Sequence, residues 1–152
     1  MTIRISIVLA VVAALLGIAA PARADNIQLL AAVIKWSAVM DKDGSALGPA
    51  VDKGPAQADA AALKLKRDAV AAANAIDGIK ASSALGSQIR DKLALGLRQF
   101  EQAGQELHLA VVAANRNDSK GATSHAGKAT KLASVGSSLL MQTAKLLPKL
   151  KP

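Results

Sequence analysis

Past residue 24, apolar positions recur at spacings of three and four, and no sustained strand-like alternation appears. Four amphipathic helices are expected. The first covers about residues 25–40, with Ile27, Leu30, Val33 or Ile34, and Met40 inward. The second covers 56–79, where Leu65, Ala69, Ala72, Ile76 and Ile79 keep one stripe facing a neighbour. The third begins at Ser82 or Ser83, residues suited to capping the first turn, and runs to Asn115 with Ile89, Leu93, Leu97, Phe100, Leu107, Val111 and Ala114 on one face. The fourth covers 119–147, with Leu132, Val135, Leu139 and Leu146 inward. Residues 41–55 hold Gly44, Gly48, Gly54, Pro49 and Pro55 and are expected to form the one substantial loop. Asn115, Arg116, Asn117 and Asp118 predict a tight turn, and Pro148 ends the last helix.

Short connections between helices imply an antiparallel, up-down-up-down four-helix bundle over residues 25–147, an all-α fold. Alanine supplies 34 of the 152 residues, so the core is expected to be thin. Gly121, Gly127 and Gly136 each cost about 1 kcal/mol relative to Ala in a helix interior, which weakens the fourth helix. The small residues from Ser134 to Ser138 would also let a further helix approach closely, one route to a homodimer.

The N-terminus carries an address. Arg4 precedes residues 7–20, in which only Gly17 is not Ala, Val, Ile or Leu; Pro21 breaks the run, and Ala22-Arg23-Ala24 places small residues at the −1 and −3 positions of a cleavage site. This is the pattern of a secretory signal, residues 1–24, and its apolar run of 14 residues is shorter than the roughly 20 that span a bilayer. The mature chain is expected to be exported, periplasmic or extracellular in a bacterium, with no transmembrane span once the signal is removed.

Composition narrows the chemistry. The absence of Cys excludes a disulfide scaffold, a Cys-ligated metal centre and a Cys nucleophile. Trp36 and Phe100 are the only aromatic residues, which argues against a nucleic-acid binder that stacks bases.

Charge adds a location. The chain carries a net +8, of which Arg4 and Arg23 leave with the signal. Residues 25–118 balance, with eleven basic and eleven acidic side chains. Residues 119–152 hold Lys120, Lys128, Lys131, Lys145, Lys149 and Lys151 and no acid. Lys128 and Lys131 on the fourth helix, with Lys145, Lys149 and Lys151 at its end and on the tail (residues 148–152), are therefore expected to contact an anionic envelope surface or an acidic protein. Over residues 145–151, Lys145, Lys149 and Lys151 are interleaved with Leu146, Leu147 and Leu150, as in peripheral membrane contacts.

The remaining chemistry is sparse. His108 and His125 lie almost level across the last hairpin, with an axial offset of about 3 Å, and are the candidate ligands for a haem or a divalent metal. Residue 105, three before His108, is Gln, so the Glu-x-x-His pattern of di-iron bundles is absent. Asp41-Lys42-Asp43-Gly44-Ser45 resembles the start of a calcium loop, yet positions six and twelve are Ala46 and Asp52 where Gly and Glu are needed. Neither a G-x-S-x-G elbow nor a phosphate-binding loop occurs, and a non-enzymatic protein is expected.

Overall fold

The computed structural model of the chain describes residues 24–150, and the expected signal lies outside them except for Ala24. Four helices account for nearly all of the described residues: α1 (Ala24–Asp52), α2 (Pro55–Asp77), α3 (Ala84–Asn115) and α4 (Ser119–Leu146), followed by a short 3-10 turn (Leu147–Lys149). The described residues form a helical bundle without strands, and none of its helices is long and apolar enough to cross a membrane.

The expected loop at 41–55 is the main correction. Helix α1 continues through Gly44, Gly48 and Pro49 to Asp52. Proline in a helix interior removes a hydrogen bond and clashes with the preceding turn, but packing offsets that cost here. The buried stripe Leu29, Val33, Met40 and Asp43 carries on to Leu47, which packs against the core. Of the inward positions expected in α1, Met40 and Val33, the alternative to Ile34, are buried and Leu30 is half-buried, whereas Ile27 is 54% exposed. The actual break is Lys53-Gly54, where Gly54 has φ 114°, a conformation natural to glycine, and Pro55 opens α2.

The other connections follow the sequence. Ser83 caps α3, its Oγ accepting from the Gly86 N–H at 3.0 Å. Asn117 turns the chain with φ 60°, and the Asp118 carboxylate accepts from the Gly121 N–H at 2.8 Å to cap α4. Ile79 lies just past the end of α2 and is half-buried against the core.

Helix α3 is the axis of the assembly. It packs along α2 on one side and α4 on the other, while α1 packs chiefly on α2. Both long contacts bring backbones together. A Cβ on Gly104 would sit 2.7 Å from the Lys66 backbone nitrogen, and one on Gly136 would sit 3.0 Å from the Gly96 carbonyl oxygen and from the Phe100 ring. Gly136, in the stretch expected to admit another molecule, is thus occupied by α3 of its own chain. The same contact fixes the phase of α4. Its buried residues are Ala129, Gly136, Leu140, Thr143 and Ala144, whereas Val135 is 49% exposed and Leu132, Leu139 and Leu146 are only half-buried. Close approach through small residues outweighs burial of the larger ones on the adjacent face.

The core joins Leu29, Val33 and Met40 of α1, Leu65 to Ile76 of α2, Ile89 to Phe100 of α3, and Leu140, Ala144 and Leu147 beyond. Burying side chains of this size stabilises by about 1.5–3 kcal/mol each before the entropy of ordering them is counted. The predicted stripe on α3 holds from Ile89 to Phe100, but Leu107 and Val111 are only half-buried and Ala114 is exposed.

Candidate functional site

The lysines of α4 occupy a definable face. At 3.6 residues per turn, Lys131 and Lys145 project within about 40° of each other and Lys128 lies about 60° from Lys131. The buried Ala129, Gly136 and Leu140 lie on the opposite side of the helix. Lys128, Lys131, Lys145 and Lys149 are all exposed, and among the described residues none of them forms an ion pair. Lys64, Arg67, Arg90 and Arg98 on α2 and α3 each face a carboxylate, whereas Lys35, Lys42 and Lys80 are also in no ion pair, so what sets α4 apart is that its segment holds no acid. The acid-free segment seen in the sequence is therefore a cationic face without internal counter-charge. Lys151 lies outside the described residues.

The tail is less free than its sequence suggested. Leu147 is fully buried, and Leu146 and Leu150 pack partly against the core, while Pro148 and Lys149 are exposed. The leucines between the lysines belong to the fold, so the surface offered to a partner is charged rather than amphipathic.

The two histidines have separate partners. His108 Nδ1 lies 2.5 Å from Asp59 Oδ1 on α2, and His125 Nδ1 lies 2.6 Å from Glu106 Oε2 on α3. Glu106 and His108 are two residues apart on α3, about 200° around the helix, so one side chain addresses α4 and the other α2. Each pair ties two helices together, and both are half-buried. Among the described residues no three His, Asp or Glu side chains converge as a metal-ligating group.

Asp43, in the segment resembling a calcium loop, is helical and buried. Its Oδ1 accepts from Lys64 Nζ, which also donates to Asp68 at 2.7 Å, while its Oδ2 is buried without a hydrogen-bond partner. Burial pushes the Asp43 carboxyl above its ordinary value against the pull of the Lys64 ammonium. The hydrogen bond from Lys64 holds Asp68 below its ordinary value, and the hydrogen bond to Asp43 raises Lys64.

A groove of about 680 Å³ opens where the C-terminal half of α1 and the start of α2 face the α3–α4 hairpin. Its floor includes Leu65, Phe100, Ala103 and Ala129, all buried, and its walls include Leu47, Leu107 and Val111. Neither His108 nor His125 lines it. Sequence reasoning missed this groove because it placed 41–55 in a loop. The continuing spacing of Met40, Asp43 and Leu47 was the signal that could have found it. Hairpin geometry likewise set His108 and His125 nearly level, but the helical phase that gives each its own carboxylate was not legible.

Comparison with protein-family models, with curated proteins and with solved structures finds no match to this chain.

Proposed function

We propose that the chain is an exported, non-enzymatic helical-bundle protein that associates with an anionic surface of the bacterial cell envelope through Lys128, Lys131, Lys145, Lys149 and Lys151. The observation that carries this reading is the cationic, acid-free and internally unpaired face of α4. Charges already paired within a protein have little attraction left for a partner, whereas exposed unpaired lysines contribute about 1 kcal/mol each near an anionic membrane. Four or five of them give adhesion that is reversible and screened by salt. The N-terminal charged, apolar and A-x-A pattern supports export and removal of residues 1–24.

The bundle in this reading is antiparallel, up-down-up-down. Supporting it, Asp59 and Ala62 near the start of α2 meet His108 and Gly104 late in α3, whereas Asp77 at the end of α2 meets Arg98. Similarly, Glu106 late in α3 meets His125 early in α4, and Lys92 early in α3 meets Gln142 late in α4.

The test is co-sedimentation with vesicles that are either zwitterionic or one-third anionic lipid, at low and high salt. The protein should pellet with anionic vesicles at about 20 mM salt and be released by about 500 mM, because the screening length falls several-fold over that range. Equal binding to both vesicle types, or binding indifferent to salt, overturns the reading, and retention by isolated envelopes alone points to an acidic protein instead.

A further inference from the structure

Two large apolar side chains stand in the open beside the lysines of α4. Leu95 on α3 is 50% exposed and Val135 on α4 is 49% exposed. Each directly precedes a glycine of the α3–α4 contact. A Cβ on Gly96 would lie 3.3 Å from the Gly136 carbonyl oxygen, and one on Gly136 would lie 3.0 Å from that of Gly96, so the two backbones touch there. Leu95 and Val135 are therefore level with each other along the helix pair.

They also project from the same edge of that pair. Lys92 Nζ donates to Gln142 Oε1 at 3.2 Å, and this bond marks the edge. At 3.6 residues per turn, Leu95 lies about 60° from Lys92 around α3, and Val135 lies about 20° from Gln142 around α4. Close approach of the backbones thus gathers the two side chains into one apolar patch.

The surroundings of the patch are basic. Lys128 and Lys131 lie about 20° and 40° from Val135 around α4, and Lys92 is one turn from Leu95. None of these three lysines forms an ion pair among the described residues. Asp91 and Glu106, the carboxylates nearest this edge along α3, are engaged, Asp91 by Arg90 at 2.8 Å and Glu106 by His125. At the tail the leucines fold inward, whereas midway along the α3–α4 pair the apolar groups face out. A hydrated anionic polymer would satisfy the lysines alone. A bilayer interface offers phosphates to the lysines and hydrocarbon to the apolar pair.

We propose that the anionic partner of the basic face is a phospholipid bilayer, and that Leu95 and Val135 insert between its headgroups while Lys92, Lys128 and Lys131 contact the phosphates. This insertion rests on the adhesion proposed above and gives its partner a chemistry.

The chain has no cysteine, so an environment-sensitive fluorophore such as nitrobenzoxadiazole can be placed at one position through Leu95→Cys or Val135→Cys. Leu63→Cys is the control, since Leu63 is also exposed but lies on α2, across α3 from α4. Each labelled full chain is mixed with vesicles that are one-third anionic lipid at about 20 mM salt. Emission from positions 95 and 135 should shift to the blue and rise at least twofold as the protein pellets with the vesicles, and emission from position 63 should stay as it is in solution. The double variant Leu95→Gln with Val135→Gln keeps every charge. It should bind about tenfold more weakly, with the dependence of affinity on salt unchanged. Pelleting without a blue shift at 95 and 135, equal shifts at all three positions, or undiminished binding of the double variant would each overturn the insertion and leave adhesion by charge standing. Failure to pellet with anionic vesicles at any salt would overturn both.

Discussion

Along the first half of α3, Ile89, Leu93, Leu97 and Phe100 are fully buried among residues from α1, α2 and α4. Along its last turns, from Gln105 to Asn115, no residue is fully buried, and the helix is held by the His108–Asp59 and His125–Glu106 pairs beside an open groove. One continuous helix thus passes from a region specified by hydrophobic burial to one specified by polar pairs. Burial at the first end is non-directional and collective. The polar pairs at the other fix position but contribute less, because half-exposed pairs are screened by water. An Ala-rich bundle can thus close its core at one end and leave a groove at the other.

Phe100, the largest fully buried side chain among the described residues, stands where the two regions meet. Phe100→Ala should cost about 3–5 kcal/mol in urea unfolding, while Leu107→Ala, one to two turns further on, should cost well under half as much. Equal costs would mean that the core reaches the open end.

A smaller effect is expected at the tie between α1 and α2. Lys64→Met removes the counter-charge of the buried Asp43 and should destabilise by about 2 kcal/mol at neutral pH, a moderate value because Lys64 itself is half-exposed. The pH dependence follows from the shifts. Asp43, raised in the folded state, is penalised while charged, and the penalty fades as pH falls through its folded value toward 3.8. Asp68, lowered, contributes stability that is present above 3.8 and lost below it. Lys64, raised, contributes below 10.5, and that contribution is lost as pH rises through its folded value. The gap between Lys64→Met and the parent should therefore narrow on acidification, measured by denaturant midpoints from pH 7 to pH 3.

Much of the fold was legible in the sequence, and the exceptions share a cause. The spacing of Leu65, Ala69, Ala72 and Ile76, and of Ile89 to Phe100, reports burial because large apolar residues mark those faces. A cap at Ser82 or Ser83 was legible because short polar side chains have few other uses before a helix, and Ser83 takes it; at 115–118 the turn was legible but the capping role of Asp118 was not. The phase of α4 was hidden because its contact face is built from Gly136, Ala129 and Ala144, which carry little hydrophobic signal. The helix through Gly44, Gly48 and Pro49 was hidden because local propensity opposes it and only tertiary packing sustains it. At the candidate site, the absence of acid from α4 could be read directly, whereas the partners of His108 and His125 depend on helix rotation that spacing does not determine.

In the proposed function, the placement of positive charge on α4, rather than net charge, holds the protein to an anionic surface. Two variants of equal net charge test it: Lys131, Lys145 and Lys149 all changed to Gln, and Lys35, Lys42 and Lys80 all changed to Gln. Binding of each to anionic vesicles at low salt is the measurement. The account predicts that the first loses at least tenfold in affinity while the second stays within about twofold of the parent. Equal losses in both would contradict it and reduce the basic segment to a contributor to net charge alone.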